Sequence, residues 1–361
     1  MGLIHDNFIQ TGHEVDYFCS GDVPDRFQNR FARFAFPFLV RRHAVRAASQ
    51  GRPYGVINVH EPSGMAVALL RYGVGGARVV VTSHGVEQRG WERTVEEGRL
   101  REDRPKLLSR IGYPATVLWQ ARLALQHADH VFCLNMEDRA YLVSKFRLPP
   151  ERITRIYPAA DHIYGEASAG RDYSYVSRLL FAGTWIKRKG TADLARAFST
   201  LSVRHPQLRL VVLNGGVPES AVHACFPESL HPRVSCFQSR SEKETAAAFA
   251  EADLYVLPSL FEGTPLTLIE AMWSGLPIVT TATCGMLDVI EDGRNGLLVP
   301  IRSPEAIVNA VELLIKNREL RTRLGNAAHA DASANYTWSQ VAKPILRVYE
   351  RITARIKPLG D

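Results

Sequence analysis

Two doubly wound α/β domains are the fold class this sequence predicts, and three observations predict it. The chain has 361 residues, enough for two domains of ordinary size, and 46% of them are hydrophobic. Apolar, β-branched runs such as Val56-Ile57-Asn58-Val59-His60 and Val79-Val80-Val81-Thr82-Ser83 are each followed by a polar loop, as parallel strands are. The stretch 162–175, with Gly165, Ser168, Gly170 and Ser174, has linker composition. The expected division is a first domain at 1–168, a second at 169–336, and a last helix at 337–361.

Composition excludes several classes. Net charge is +7, but the surplus divides almost evenly between the halves, which weakens a nucleic-acid reading. No apolar run approaches the roughly 18 residues of a membrane-spanning helix. The opening MGLIHDNFIQ lacks the basic and apolar regions of a signal peptide. Cys19, Cys133, Cys225, Cys236 and Cys284 form no C-x-x-C pair, which fits buried thiols in a reducing cytoplasm. There are no zinc spacings, internal repeats or low-complexity tracts.

The most informative stretch is 258–277, PSLFEGTPLTLIEAMWSGLP. Leu254–Leu257 reads as a buried strand ahead of it. Pro265 suits the first turn of a helix, and Thr264 suits the N-cap. Leu266, Ile269 and Trp273 recur at helical spacing, and Gly275 with Pro277 ends the helix. Glu262 falls in the turn and Glu270 within the helix. A helix N-terminus attracts an anion such as a diphosphate. Carboxylates on either side could each accept a pair of hydroxyls. An ordinary strand–turn–helix unit with two unrelated acids fits the spacing equally well.

The spacing Glu262-x7-Glu270, within PSLFEGTPLTLIEAMWSGLPIV, resembles the signature of retaining glycosyltransferases of family 4. The likeness continues through ATCGMLDVIEDGRNGLLVP at 282–300. It is specific in the C-terminal half and diffuse in the N-terminal half. It implies the GT-B fold: two Rossmann-like domains facing across a cleft, with a C-terminal helix crossing back to the N-domain. It also implies sugar transfer from a nucleoside diphosphate sugar to an acceptor hydroxyl, with retained anomeric configuration. A sugar-nucleotide-binding pseudoenzyme or partner subunit is the alternative.

Taken in order, residues 3–18 read as a helix end, Gly12, and a strand at Val15–Phe18. By resemblance, Gly12-His13-Glu14-Val15 follows the family's first strand and glycine-rich loop, which are expected either to lie ahead of residue 1 or to be missing. Residues 26–46 hold six arginines and five phenylalanines, and no acid occurs between Asp25 and Glu61. Arg26–Arg46 suits an anionic membrane surface, a phosphate-bearing acceptor, or a core helix with arginines outside. His60-Glu61 and His84-Gly85 lie at strand C-termini, where ligands of doubly wound sheets sit. A lone histidine is usually structural. The resemblance matches His84 to a histidine near the donor sugar, and His60-Glu61 is a weaker match. Residues 86–122 read as a mobile polar connection with helical pieces.

In the second half Leu179–Gly183 begins the second sheet. Lys187, Arg188 and Lys189 then cluster at a βα turn, where they could neutralise a leaving diphosphate or form a solvated charge run at a helix start. The resemblance matches Lys189-Gly190 to the family's Lys-Gly, while the usual arginine five residues before that lysine is Thr184. Arg188 is the candidate second cation. The Asn214-Gly215-Gly216 turn and the Gln238–Arg240 loop follow two further strands, and the loop borders the nucleobase in family members. Asp-x-Asp is absent, which fits leaving-group stabilisation by cations and helix dipoles without a metal. The expected site is therefore Glu262, His84 and Lys189 for catalysis. Arg188, Gly263, Thr264, Pro265, Leu266 and Glu270 bind the donor. No metal or cofactor is expected. Partners are a nucleotide-sugar donor and a saccharide or lipid-linked acceptor, with no nucleic acid. The expected location is the cytoplasm or the inner face of the membrane, in envelope, exopolysaccharide or glycolipid synthesis.

Overall fold

The computed structural model describes residues 8, 9, 11–23, 32–100 and 106–354. The chain divides into two compact units. One is Met1–Tyr157 with Val341–Asp361, and the other is Pro158–Gln340.

The first unit holds a four-stranded parallel sheet: β1 (Val56–His60), β2 (Arg78–Thr82), β3 (His130–Cys133) and β4 (Ile153–Arg155), in that spatial order. Val79, Val80 and Val81 are fully buried, as their unbroken apolar run requires of a strand covered on both faces. Helices α1 (Ala32–Ser49) and α2 (Glu87–Leu100) lie in this unit. Residues Val15–Phe18 form no strand; the segment joins no ladder. Its Asp16 instead accepts from Tyr54 and lies 2.8 Å from His43 Nε2. The connection at 86–122 is largely helical among its described residues.

The second unit holds six parallel strands: β5 (Arg178–Ala182), β6 (Arg209–Leu213), β7 (Val234–Phe237), β8 (Leu254–Leu257), β9 (Ile278–Thr281) and β10 (Leu297–Val299). Their order is β10-β9-β8-β5-β6-β7. The chain runs outward from β5 to β7, then returns to place β8 on the other side of β5. The switch point of the sheet therefore lies between β5 and β8, where ligands of doubly wound folds bind.

The unit begins earlier than the expected 168/169 boundary. Residues 162–175 are not a linker but carry helix α3 (Ile163–Ala167), whose Tyr164 is 2% exposed. Arg171 holds the segment down by donating to Ser274 O at 2.7 Å, Phe249 O at 2.8 Å, and Ala252 O. Small polar residues look like linker composition, but here an arginine satisfies three carbonyls and folds the segment onto the unit. Helices α4 (Thr191–Arg204), α5 (Glu242–Glu251), α6 (Leu266–Trp273), α7 (Cys284–Val289), α8 (Pro304–Lys316) and α9 (Arg318–Asn335) also belong to it, with a short helix at Glu219–His223. Ser303 caps α8, and Ile307, Val308, Val311 and Leu314 are its buried stripe.

The last helix, α10 (Trp338–Thr353), leaves the second unit and joins the first from Val341 onward. It buries Val341, Ala342, Ile345, Val348 and Ile352. Tyr349 OH accepts from Asn58 Nδ2 at 2.7 Å, and Arg78 Nε donates to Ile352 O at 3.1 Å. All five cysteines are free. No helix of the described residues is long and apolar enough to cross a membrane.

Candidate active site

The site is built on two turns at the switch point. After β5, Gly183, Thr184, Trp185 and Ile186 lead to a 3-10 turn at Lys187–Lys189 and then to α4. After β8, residues 258–265 lead to α6. Gly190 lets the turns touch: its φ is +68°, and a Cβ there would sit 1.9 Å from Pro258 O. Leu260 N donates to Arg188 O at 2.8 Å, and Arg188 Nη1 donates to Phe261 O at 3.4 Å.

This stitching puts the three charged groups together. Lys189 Nζ donates to Glu262 Oε1 at 2.7 Å, and Arg188 Nη1 lies 3.8 Å from Glu262 Oε2. Ser259 Oγ donates to the same Oε1 at 3.0 Å. Glu262 is 6% exposed. The Lys189 side chain is 12% exposed and that of Arg188 39%. A Cβ on Gly183 would meet the Lys189 side chain at 3.2 Å, so this glycine keeps room for the cation. Thr184 packs against Gly216 and brings no charge.

Helix α6 starts one residue later than its sequence predicts. Pro265 is the N-cap, with ψ 126°, and Leu266 is the first helical residue. Thr264 is thus not the cap. A third turn presses on it: Gly285 N donates to Gly263 O at 2.8 Å, and a Cβ on Gly285 would lie 2.1 Å from Thr264 Oγ1. Gly263, Thr264 and Pro265 are buried, and Leu266 is exposed. The far end follows the glycine signal. Gly275, with φ +64°, donates to Met272 O, and Leu276 N donates to Ala271 O at 3.0 Å, a Schellman closure.

Glu270 projects from α6 into a neighbouring cavity of about 290 Å³, lined also by Tyr164, Gly183, Asn214, Glu242 and Thr267. Burial pushes its pKa up to about 7; a hydrogen bond from Tyr164 opposes the rise, and the charge of Glu242 adds to it. Asn214 also lines the cavity. It adopts φ +55°, donates to Ser239 Oγ at 2.8 Å, and accepts from Ser239 N at 2.9 Å, which fixes the Gln238–Arg240 loop. Thr245 Oγ1 donates to Ser239 Oγ at 2.8 Å.

His84 belongs to the first unit and follows the end of β2. Its Nε2 lies 2.5 Å from His60 Nδ1, with the rings stacked at 4.5 Å. Burial lowers the pKa of both histidines, that of His60 to about 4. Among the described residues no group of three or more His, Cys, Asp or Glu could hold a metal ion.

The structure thus brings Arg188, Lys189 and Glu262 into one cluster, with Glu270 in the adjoining cavity. It adds Ser259, Tyr164, Glu242 and Asn214, which sequence reasoning did not assign. Ser259 sits inside the stretch singled out and was readable there. Tyr164 carried no signal, because its contact with α6 joins segments about a hundred positions apart.

Known proteins agree with this architecture. A family model described as Glycosyltransferase Family 4 matches residues 4–163, and one described as Glycosyl transferases group 1 matches 176–331. The chain is 27% identical to the phosphatidyl-myo-inositol mannosyltransferase of Mycobacterium tuberculosis, over 93% of this chain and 84% of that protein. It is 28% identical to the D-inositol 3-phosphate glycosyltransferase of a Nocardioides species, over 68% and 58%. Among solved structures, sucrose-phosphate synthase from Thermosynechococcus elongatus superposes with a TM-score of 0.71 at 20% identity, covering 92% of this chain and 80% of that one. Anabaena HepE, in complex with UDP and glucose, gives 0.68 at 17% identity, covering 95% and 88%. Two parallel-sheet α/β units, a helix returning to the first, and family models spanning both halves make this chain a member of glycosyltransferase family 4, with the GT-B fold.

Proposed function

We propose that this chain transfers a sugar from a nucleoside diphosphate sugar to an acceptor hydroxyl with retention of configuration. The observation that carries the reading is the Arg188–Lys189–Glu262 cluster at the β5/β8 switch point, beside the cavity that holds Glu270. Lys189 and Arg188 neutralise the diphosphate, helped by amides around Gly263 and Thr264 and by the positive end of α6 at Pro265 and Leu266. Glu270 accepts the ribose hydroxyls. Glu262 faces the donor sugar and the positive charge that develops on it. His84, on the first unit, takes the donor-sugar contact that the family resemblance gives it.

No carboxylate of the sequence stands out as the nucleophile of a double displacement. A front-face reaction is therefore the reading. The bond from C1 to the diphosphate oxygen breaks, and the bond from C1 to the acceptor oxygen forms on the same face. The acceptor proton passes to the departing phosphate oxygen. The charge that leaves is met by Lys189 and Arg188, so the reaction is read as metal-independent.

Relatives named for phosphatidyl-myo-inositol and D-inositol 3-phosphate support an acceptor hydroxyl on a saccharide, cyclitol or lipid-linked molecule, and a place in envelope synthesis. Peripheral attachment to an anionic membrane goes with such an acceptor, and exposed Arg42 on α1 is available for it. Arg26 and Arg30 of the basic stretch lie outside the described residues. Thermal stabilisation by UDP-, GDP- and ADP-sugars identifies the donor, and NMR of the product reads its anomeric configuration. An inverted product would reject the front-face step. Thr184, in place of the family's arginine, favours a second reading, a binding subunit without turnover. Donor binding with neither transfer nor hydrolysis would establish it.

A further inference from the structure

The end of β1 grips the turn that carries His84 from both sides. His60, the last residue of β1, stacks on His84 and shares a hydrogen bond with its Nε2. Glu61, the next residue, accepts from Glu87 N at 3.3 Å, three positions beyond His84. Ser83, the residue before His84, is fully buried, and its hydroxyl lies beside the Glu61 carboxyl. Neither Ser83 Oγ nor Glu61 Oε2 has a hydrogen bond of ordinary geometry. Between these grips Gly85, with φ +124°, turns the chain.

Two proton positions follow. Burial pushes the Glu61 pKa up to about 8, which favours the protonated carboxyl at neutral pH, while the Ser83 hydroxyl beside it opposes the rise. His60 and His84 are both neutral, so one ring donates to the other. The Nε2–H form is the commoner tautomer of neutral histidine in water. If His84 donates, both rings keep that form. His84 Nδ1 is then the bare nitrogen, able to accept from a sugar hydroxyl.

We propose that His60 and Glu61 are positioning residues for His84: His60 sets its tautomer, and Glu61 holds the turn through Glu87 N, with Ser83 beside its other oxygen. The functional part rests on the role given to His84 above. The proton positions do not.

The test uses the full chain labelled with ¹⁵N. Two-bond proton–nitrogen NMR reads the His84 tautomer, with the signal identified by its loss in His84→Gln. The expected wild-type result is a protonated Nε2 and a bare Nδ1. His60→Phe keeps the stacked ring and removes the acceptor. The His84 tautomer should then become mixed, and kcat should fall on the order of 10- to 100-fold, as when the orienting partner of a metal-bound histidine is lost. KM for the donor should change less than about threefold. Glu61→Gln keeps the acceptor for Glu87 N and supplies a donor for Ser83, so it should recover turnover that Glu61→Leu loses. Thermal unfolding confirms that each variant is folded. A protonated Nδ1 in the wild type would overturn the proposal, as would a folded His60→Phe with an unchanged His84 signal. Full turnover in His84→Gln would instead remove the donor-sugar role and leave the tautomer result intact.

Discussion

Lys189 Nζ and Glu262 Oε1 lie 2.7 Å apart although 73 positions separate them in the chain. Both side chains are largely shielded from water. Replacing Lys189 by Met leaves a buried carboxylate that has lost its close cation, which costs about 3 kcal/mol. Adding Glu262→Gln should restore part of that loss. Urea unfolding of the two single variants and the double variant checks the coupling.

The same pair should separate binding from turnover. Glu262→Gln should lower kcat on the order of 10²- to 10³-fold, the range for losing one stabilising group at a developing charge. Nucleoside diphosphate should bind at least as tightly as to the wild type, because Lys189 is no longer held by the carboxylate. Calorimetry showing an equal loss of affinity in a folded variant would reject the role.

Glu270, as the proposed acceptor of the ribose hydroxyls, should make nucleotide binding depend on pH. Ribose hydroxyls donate to a carboxylate, so affinity should rise as the pH passes through about 7. Glu270→Gln should abolish that rise. Tyr164→Phe removes the hydrogen bond that favours the ionised form, so it should move the rise to higher pH.

The effect of Glu270 on stability has the opposite sign. Its folded pKa lies above the ordinary 4.5, so the folded chain holds the proton more tightly than the unfolded chain does. That contribution is largest below pH 4.5 and is lost as pH rises to about 7. Denaturant midpoints should show a shallower decline over this span in Glu270→Gln.

Gly190→Ala meets both a left-handed backbone and the Pro258 carbonyl. It should lower stability by more than about 2 kcal/mol and separate Lys189 from Glu262. Gly293→Ala, with φ +73° but open space around it, should cost about 1 kcal/mol. Equal shifts in unfolding temperature for the two would discount the contact with Pro258.

Arg41 and Arg42 should part company. Arg41 donates to Leu70 O and Tyr72 O at 2.7 Å, so Arg41→Ala should cost about 1 kcal/mol of stability. Arg42 is exposed, so Arg42→Glu should instead reduce co-sedimentation with anionic vesicles. Unchanged sedimentation would remove the membrane contact.

Much of this molecule is written in local patterns. The runs at β2 and β8 are apolar and β-branched or aromatic, and such runs persist as buried strands wherever they pack. Gly275 ends α6 because few other residues adopt its φ. Lys189-Gly190 and Glu262-x7-Glu270 are visible as motifs because each is confined to one βα unit. Elsewhere local rules misled. Thr264 is a good capping residue, yet packing by Gly285 displaces the cap to Pro265. Val15–Phe18 has strand composition, but no neighbouring strand pairs with it.

The sequence by itself determined two α/β units, the turns that carry charge, and the family to which they belong, because these follow from periodicity and short motifs. Only the tertiary structure decided that Lys189 meets Glu262, that burial, with Tyr164 and Glu242 alongside, sets the proton affinity of Glu270, and that His60 and Glu61 hold the turn of His84. Strand order decides these contacts, since it joins turns that the chain keeps far apart, and no local preference encodes which strand lies beside which.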